Sequence, residues 1–226
     1  MMRTVLQSLG AASLFVSTAA AQANPVVIAV LPFEDRGSYG QDKEVFRALE
    51  LGMPVVLAAE LGKHPRVRLA DRARVANALK AENLGPNARV DAATAGRIGS
   101  QSGARYAVTG NFADFYGKFR IDARLVDVES GNILKVVSNN DPKLQDRADL
   151  SRIIQDLAGK VLAAASLPPA AGTTGPSIPT EAVTQYSLGL LYETEGDKTK
   201  AGEHYQRALS AFPDYIQARE GMQRVR

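Results

Sequence analysis

From Lys118 to Val128 the chain reads KFRIDARLVDV, with Phe119, Ile121, Ala123 and Leu125 alternating with Arg120, Asp122 and Arg124. A period of two sends the apolar set to one face and the charged set to the other, so this is a strand with one buried face. Tyr116-Gly117-Lys118 before it and Glu129-Ser130-Gly131-Asn132 after it read as hairpin turns. The segment from Tyr106 to Ser138 is therefore expected to be an antiparallel meander of three strands. A meander cannot close a core by itself, and the flanking sequence supplies its cover. Val26 to Phe33 is a continuous apolar run, as in a strand buried on both faces, with Pro32 leaving the ladder near its end. Between Lys43 and Gly62 the residues Val45, Phe46, Leu49, Met53, Val56, Leu57 and Leu61 recur at helical spacing, and Pro54 is expected to kink or restart that helix. Val67 to Ala70 suits a short strand. Asp71 and Asp91 are placed to cap two further helices, the second stopping at Gly103. Leu150, Ile153, Ile154, Leu157, Val161 and Leu162 form an amphipathic helix. The predicted fold is α/β, with helices packed on a small mixed sheet.

The N-terminus has the grammar of export. Met1-Met2-Arg3-Thr4 is a short positive start, Val5 to Ala21 is mostly apolar, and Ala21-Gln22-Ala23 matches the cleavage pattern of a secretory signal peptide. A membrane anchor is the alternative, against which the apolar stretch is short and interrupted by Gln7, Ser8 and Ser13, and no later run is long enough to span a bilayer. The mature chain is expected to start near Asn24 and to be periplasmic, with outer-membrane association open. There is no cysteine, which removes disulfides, thiolate metal sites, cysteine nucleophiles and an acylated N-terminal cysteine. The formal net charge is only +3, and basic residues are interspersed with acidic ones, so no nucleic-acid footprint is visible.

After the last α/β helix, Ser166 to Thr180 is rich in Pro, Gly, Ser and Thr and reads as a linker. The chain then divides into a signal peptide over 1–23, an α/β domain over 24–165, a linker over 166–180 and a helical hairpin with a trailing helix over 181–226. Within the hairpin, Gln185, Leu188, Gly189, Tyr192, Ala201, Tyr205, Ala208 and Pro213 fall at the spacing of the tetratricopeptide repeat, with Gln185 where that pattern has Trp. Gly189 and Ala201 allow close helix approach, Leu188, Tyr192 and Tyr205 fill the crossing, and Pro213 ends the second helix. By alignment to the repeat, Val183, Tyr186, Leu190, Glu193 and Thr194 line its concave face, a strip suited to a peptide or helix. A single repeat cannot bury its own faces. It must lean on the first domain, a sister subunit or a partner.

Four stretches, Val26 to Gly37, Val67 to Leu84, Ala92 to Phe115 and Phe119 to Leu134, resemble in order and spacing the CsgG and TolB N-terminal-like family of exported bacterial domains. Gly103 to Gly110 and Ala123 to Gly131 are the most recognisable pieces. The resemblance implies helices on a mixed sheet, a cell-envelope role and no catalysis; members act as secretion-channel subunits, scaffolds or activators of peptidoglycan synthases. The short turns here depart from the long membrane-crossing hairpins of the curli secretion channel.

Chemistry is sparse. Glu34 and Asp35 follow each other at a strand end and point apart, a poor geometry for a shared metal or an acid and base pair; Arg36 is available to neutralise them. Gln101 stands where a nucleophile elbow needs serine, and His64 and His204 are isolated and expected at the surface. No phosphate-binding glycine loop appears. No catalytic residue, metal site or cofactor is expected. The expected role is a non-enzymatic adaptor or scaffold binding protein partners in periplasmic assembly or secretion, with a synthase regulator and a self-assembling homo-oligomer as alternatives.

Overall fold

The computed structural model describes residues 24–85, 88–139, 144–168 and 177–226. The expected signal peptide and the middle of the expected linker lie outside the described residues. In chain order the elements are β1 (Val26–Asp35), α1 (Lys43–Gly62), β2 (Val67–Leu69), α2 (Arg72–Ala81), α3 (Ala92–Gln101), β3 (Tyr106–Phe115), β4 (Lys118–Asp127), β5 (Ile133–Ser138), β6 (Gln145–Asp146), α4 (Leu150–Ala164), α5 (Thr180–Glu195), α6 (Lys198–Ala211) and α7 (Ile216–Val225). The sheet runs β2-β1-β3-β4-β5, with β6 pairing to the start of β4. β1 is parallel to β2 and β3, while β3, β4 and β5 form the antiparallel meander.

Each face of the sheet has its own core. Phe119, Ile121, Ala123 and Leu125 are buried with Leu49, Met53 and Leu57 of α1 and Ile153, Ile154 and Leu157 of α4. Ala29 and Leu31 of β1 turn the other way, to Val75 and Leu79 of α2 and Ile98 of α3. This second layer explains why the alternation in β4 ends at Val126, which is buried on the α3 side. Both predicted N-caps form: Asp71 Oδ1 accepts from Arg74 N at 2.9 Å and Asp91 Oδ1 from Thr94 N at 2.8 Å. Gly103, at φ +73°, ends the turn after α3. The helix α1 continues across Pro54 without the expected restart.

The ladder between β1 and β3 shifts register between Val30 and Phe33, where Pro32 interrupts it. Phe33 is driven inward there and lies over Gly110 of β3, where a Cβ would come within 2.4 Å of its ring. A bulky strand end thus depends on a side-chain-free position across the ladder.

The helical hairpin joins the same core. Val183, Tyr186 and Leu190 of α5, Tyr205 of α6 and Tyr215 before α7 cluster with the α1 and α4 side chains that cover the sheet. The closest approach is between α1 and α5, where a Cβ on Gly52 would lie 1.8 Å from Ser187 Oγ. Ala48, Leu188 and Leu191 pack beside that point. Buried Ser187 donates to Val183 O at 2.7 Å, so its hydroxyl is satisfied inside the crossing. At the rim, Tyr192 donates to Glu44 and Arg47 pairs with Glu195.

Tyr205 fills the crossing of α5 with α6. A Cβ on Gly189 would lie 2.5 Å from its ring, and one on Gly221 of α7 would lie 2.6 Å away on another side. The ring has no room to retreat. The substitution Gly189→Leu is expected to destabilise the protein by about 1–3 kcal/mol through overpacking. Thermal unfolding of the mature protein checks this, and an unchanged midpoint would show that the crossing is looser than described.

Candidate functional site

Of the strip expected to line a concave face, the apolar part is covered from within the chain, while Glu193 is half-buried and Thr194 exposed. Val183, Tyr186 and Leu190 are buried. The Tyr186 ring sits 5.8 Å from that of Tyr205 and 5.0 Å from that of Tyr215. Glu193 accepts from Tyr205 OH and from Arg224 Nε at 2.7 Å, and Thr194 Oγ1 donates to Leu190 O at 2.8 Å. The cover comes from Tyr215, just before α7, and from Ala218 and Gly221 of that helix, which close over α5 and α6. Of the residues expected to pack the hairpin, Gly189, Ala201, Tyr205 and Ala208 meet in the crossing. Leu188 turns to α1 instead. Tyr192 stacks on His204 at 5.3 Å, and Pro213 follows the end of α6. Gln185 lies 2.7 Å from His204 Nδ1, joining the two helices where Trp is usual.

Each strand-end acid has its own partner. Glu34 lies 3.9 Å from Arg89, which takes the place expected of Arg36. Asp35 Oδ1 accepts from Ser38 N at 2.9 Å and Ser38 Oγ at 2.6 Å, so it shapes the loop after β1. His64 is buried rather than exposed. Its Nδ1 accepts from Arg66 N at 3.1 Å, which puts the ring proton on Nε2, 3.0 Å from Pro168 O. Among the described residues no group of three metal-binding side chains converges, and no helix is long and apolar enough to cross a membrane.

A different surface stands out at the tip of the β3–β4 hairpin. Tyr116 is 84% exposed, and beside it lie Tyr39 at 58% and Phe115 at 39%, their rings stacked at 6.0 Å. Tyr116 and Gly117 both have positive φ, +52° and +87°, as the central pair of a two-residue primed hairpin turn requires. Gly117 occupies that region freely. Tyrosine does not, because its Cβ crowds the backbone there, where Asn or Gly would be relaxed.

The turn is braced on several sides. Gly117 N donates to buried Asp114 Oδ1 at 2.6 Å, and Gly117 O accepts from Arg147 N at 2.7 Å. Lys118 Nζ pairs with Asp146 at 2.6 Å. The Arg147 guanidinium contacts Asp114 Oδ2 at 3.1 Å and Asp42 at 2.7 Å, and lies over the Phe46 ring. Ser38 Oγ accepts from Asp114 N at 2.9 Å, and Tyr39 bridges to Phe115. The turn itself is legible in the sequence, whereas neither the exposure of Tyr116 nor the return of Tyr39 to the same tip leaves a local pattern.

No protein-family model matches this chain. No curated protein matches it either. Among solved structures, the C-terminal domain of LpoB from Salmonella enterica is similar at 16% identity, covering 54% of this chain and 85% of that one, with a TM-score of 0.39. LpoB from E. coli gives 16% identity over 62% of this chain and 80% of that one, at 0.41. TolB from Acinetobacter baumannii gives 20% identity over 64% of this chain but only 28% of that one, at 0.36. These likenesses concern the fold alone.

The polar cluster that closes the hairpin carries a pH signature. Burial alone would raise the Glu193 carboxyl, but hydrogen bonds from Arg224 and Tyr205 outweigh it and hold it below the usual carboxylate range. Burial pushes the Tyr186 hydroxyl up to about 12, and burial with the Glu193 contact raises that of Tyr205 further. A lowered carboxyl stabilises the fold above its unfolded value and loses that contribution as pH falls through the folded one; a raised phenol stabilises below about 10 and loses it as pH climbs. Urea midpoints are therefore expected to fall below about pH 4.5 and above about pH 10. Glu193→Gln should make the acid limb shallower and, because the Glu193 contact also raises the Tyr205 phenol, soften the alkaline limb without removing the part that burial gives; an unchanged acid limb would contradict the assignment.

Proposed function

We propose that this chain is a non-enzymatic exported protein that binds a protein partner in the cell envelope, and that Tyr39, Phe115 and Tyr116 form the docking surface. One observation carries the reading: a fully braced turn holds an exposed tyrosine in a backbone region that costs it on the order of 1 kcal/mol. Strain of that kind persists where the residue serves something other than stability. Tyrosine suits a docking surface because it offers a large amphipathic area with few rotors to immobilise. The envelope setting rests on the signal peptide and on the family resemblance of the α/β domain.

The filled concave strip bears on the place of binding. The repeat's own groove is taken by Tyr186, Tyr205 and Tyr215, so the partner surface is assigned to the aromatic tip instead. A rigid aromatic tip suits an adaptor in assembly or secretion and equally a regulator, such as an activator of a peptidoglycan synthase.

A photo-crosslinking residue placed at position 116 in intact cells tests this. The expected result is a discrete adduct with one envelope protein, strongest at 116 and 39 and lost at a control position on the exposed face of α2. A synthase in the adduct supports the regulator, an assembly component supports the adaptor, and a self-adduct supports a scaffold; no specific adduct would overturn the docking surface. In parallel, Tyr116→Asn is expected to raise thermal stability by on the order of 1 kcal/mol while weakening partner capture. Loss of stability in that variant would contradict the strain argument.

A further inference from the structure

We propose that the open edge of β5 is a second binding site, which takes an extended, acidic segment of another protein as an added antiparallel or parallel strand. β5 ends the sheet: it pairs with β4, and among the described residues no strand pairs with its outer side. An uncovered edge displays a row of backbone donors and acceptors, and proteins normally blunt it. Here the guards are Lys135 on the strand and Lys160, bonded to the Ser138 carbonyl at its end. Ile133, Leu134 and Val136 stand 44%, 47% and 53% exposed, a β-branched and aliphatic set that fits strand pairing.

The edge also has a built floor. Between β5 and α4 runs a groove of about 620 Å³ whose lining includes Val137, Ala163 and Ala164 as its apolar base and Lys135 and Lys160 as its charged walls. Lys160 Nζ donates to Ser138 O at 2.5 Å, which fixes one of these ammonium groups at the mouth of the groove. A guest strand alternates its side chains, so one set would enter the groove while its backbone meets the edge. Two lysines and small apolar residues select a guest with alternating acidic and aliphatic side chains. The same charges disfavour a second copy of this chain, since antiparallel pairing about Lys135 would set it against its own counterpart. The site lies on the sheet edge formed by the third strand of the meander, whereas the aromatic tip lies at the β3–β4 turn, so the two surfaces are separable by mutation.

The probe is a labelled peptide of alternating Glu and Val, compared with one of alternating Lys and Val and with the Glu peptide carrying a central Pro. Fluorescence anisotropy with the mature protein is expected to show binding of the Glu peptide only, weakening as salt is raised. Lys135→Glu, an exposed substitution, should weaken the Glu peptide roughly tenfold and admit the Lys peptide, reversing the charge preference. Hydrogen exchange should slow along β5 and not at Tyr116 when the Glu peptide is bound. Tyr116→Asn should leave this binding intact, so failure here and failure of the aromatic docking surface are distinguishable. Equal binding of all three peptides, no binding at all, or protein dimers whose β5 edges become protected without peptide would each overturn the proposal.

Discussion

The rest of the structure depends on one close contact, the seating of Ser187 of α5 against Gly52 of α1. No side chain larger than hydrogen fits at position 52. Because α1 also covers the sheet, the contact makes the helical hairpin a further layer outside α1, beyond the helices that already cover both faces of the sheet. From it follow the burial of Leu188 and Leu191 against Ala48 and the rim contacts of Tyr192 with Glu44 and Arg47 with Glu195. A helical hairpin too small to bury its own faces packs on the helix that covers the sheet.

This arrangement also separates the places where the chain is inert from those where it can act. The face that a multi-repeat protein would offer to a ligand is filled by Tyr186, Tyr205 and Tyr215. Interaction capacity moves instead to the sheet: to its hairpin tip, where Asp114 and Arg147 hold Tyr116 in an unfavourable conformation, and to its open edge. Asp114 shows how closely the two layers cooperate, being a buried acid whose backbone and side chain are both used to shape one surface turn.

Much of the architecture is legible in the sequence because it is local. The period of two in β4, the apolar run of β1, the capping by Asp71 and Asp91, and the Gly189 and Tyr205 spacing each follow from interactions between near neighbours. What is not legible depends on distant partners. Gly52 lies inside a helix whose pattern gives no hint that Ser187 will dock there. His64 reads as a loop histidine because the Pro168 carbonyl that receives its proton lies far along the chain. Whether the concave strip is open or packed on the chain itself is not decided by the spacing, which describes a helix pair and says nothing of what α7 and α1 will cover. Tyr39 and Tyr116 look unrelated until the loop after β1 folds back to pair with Phe115.

Hairpin and α/β domain are expected to unfold as one cooperative unit, joined through α1 and α5. Native-state hydrogen exchange under mild denaturant tests it most directly, by comparing slowly exchanging amides in β3, such as Val108, with those in α6, such as Tyr205. The account predicts that both sets converge on a single opening free energy with the same denaturant dependence. If the α6 amides open with a distinctly smaller free energy and denaturant dependence while β3 stays protected, the hairpin is a separate module and the account is wrong.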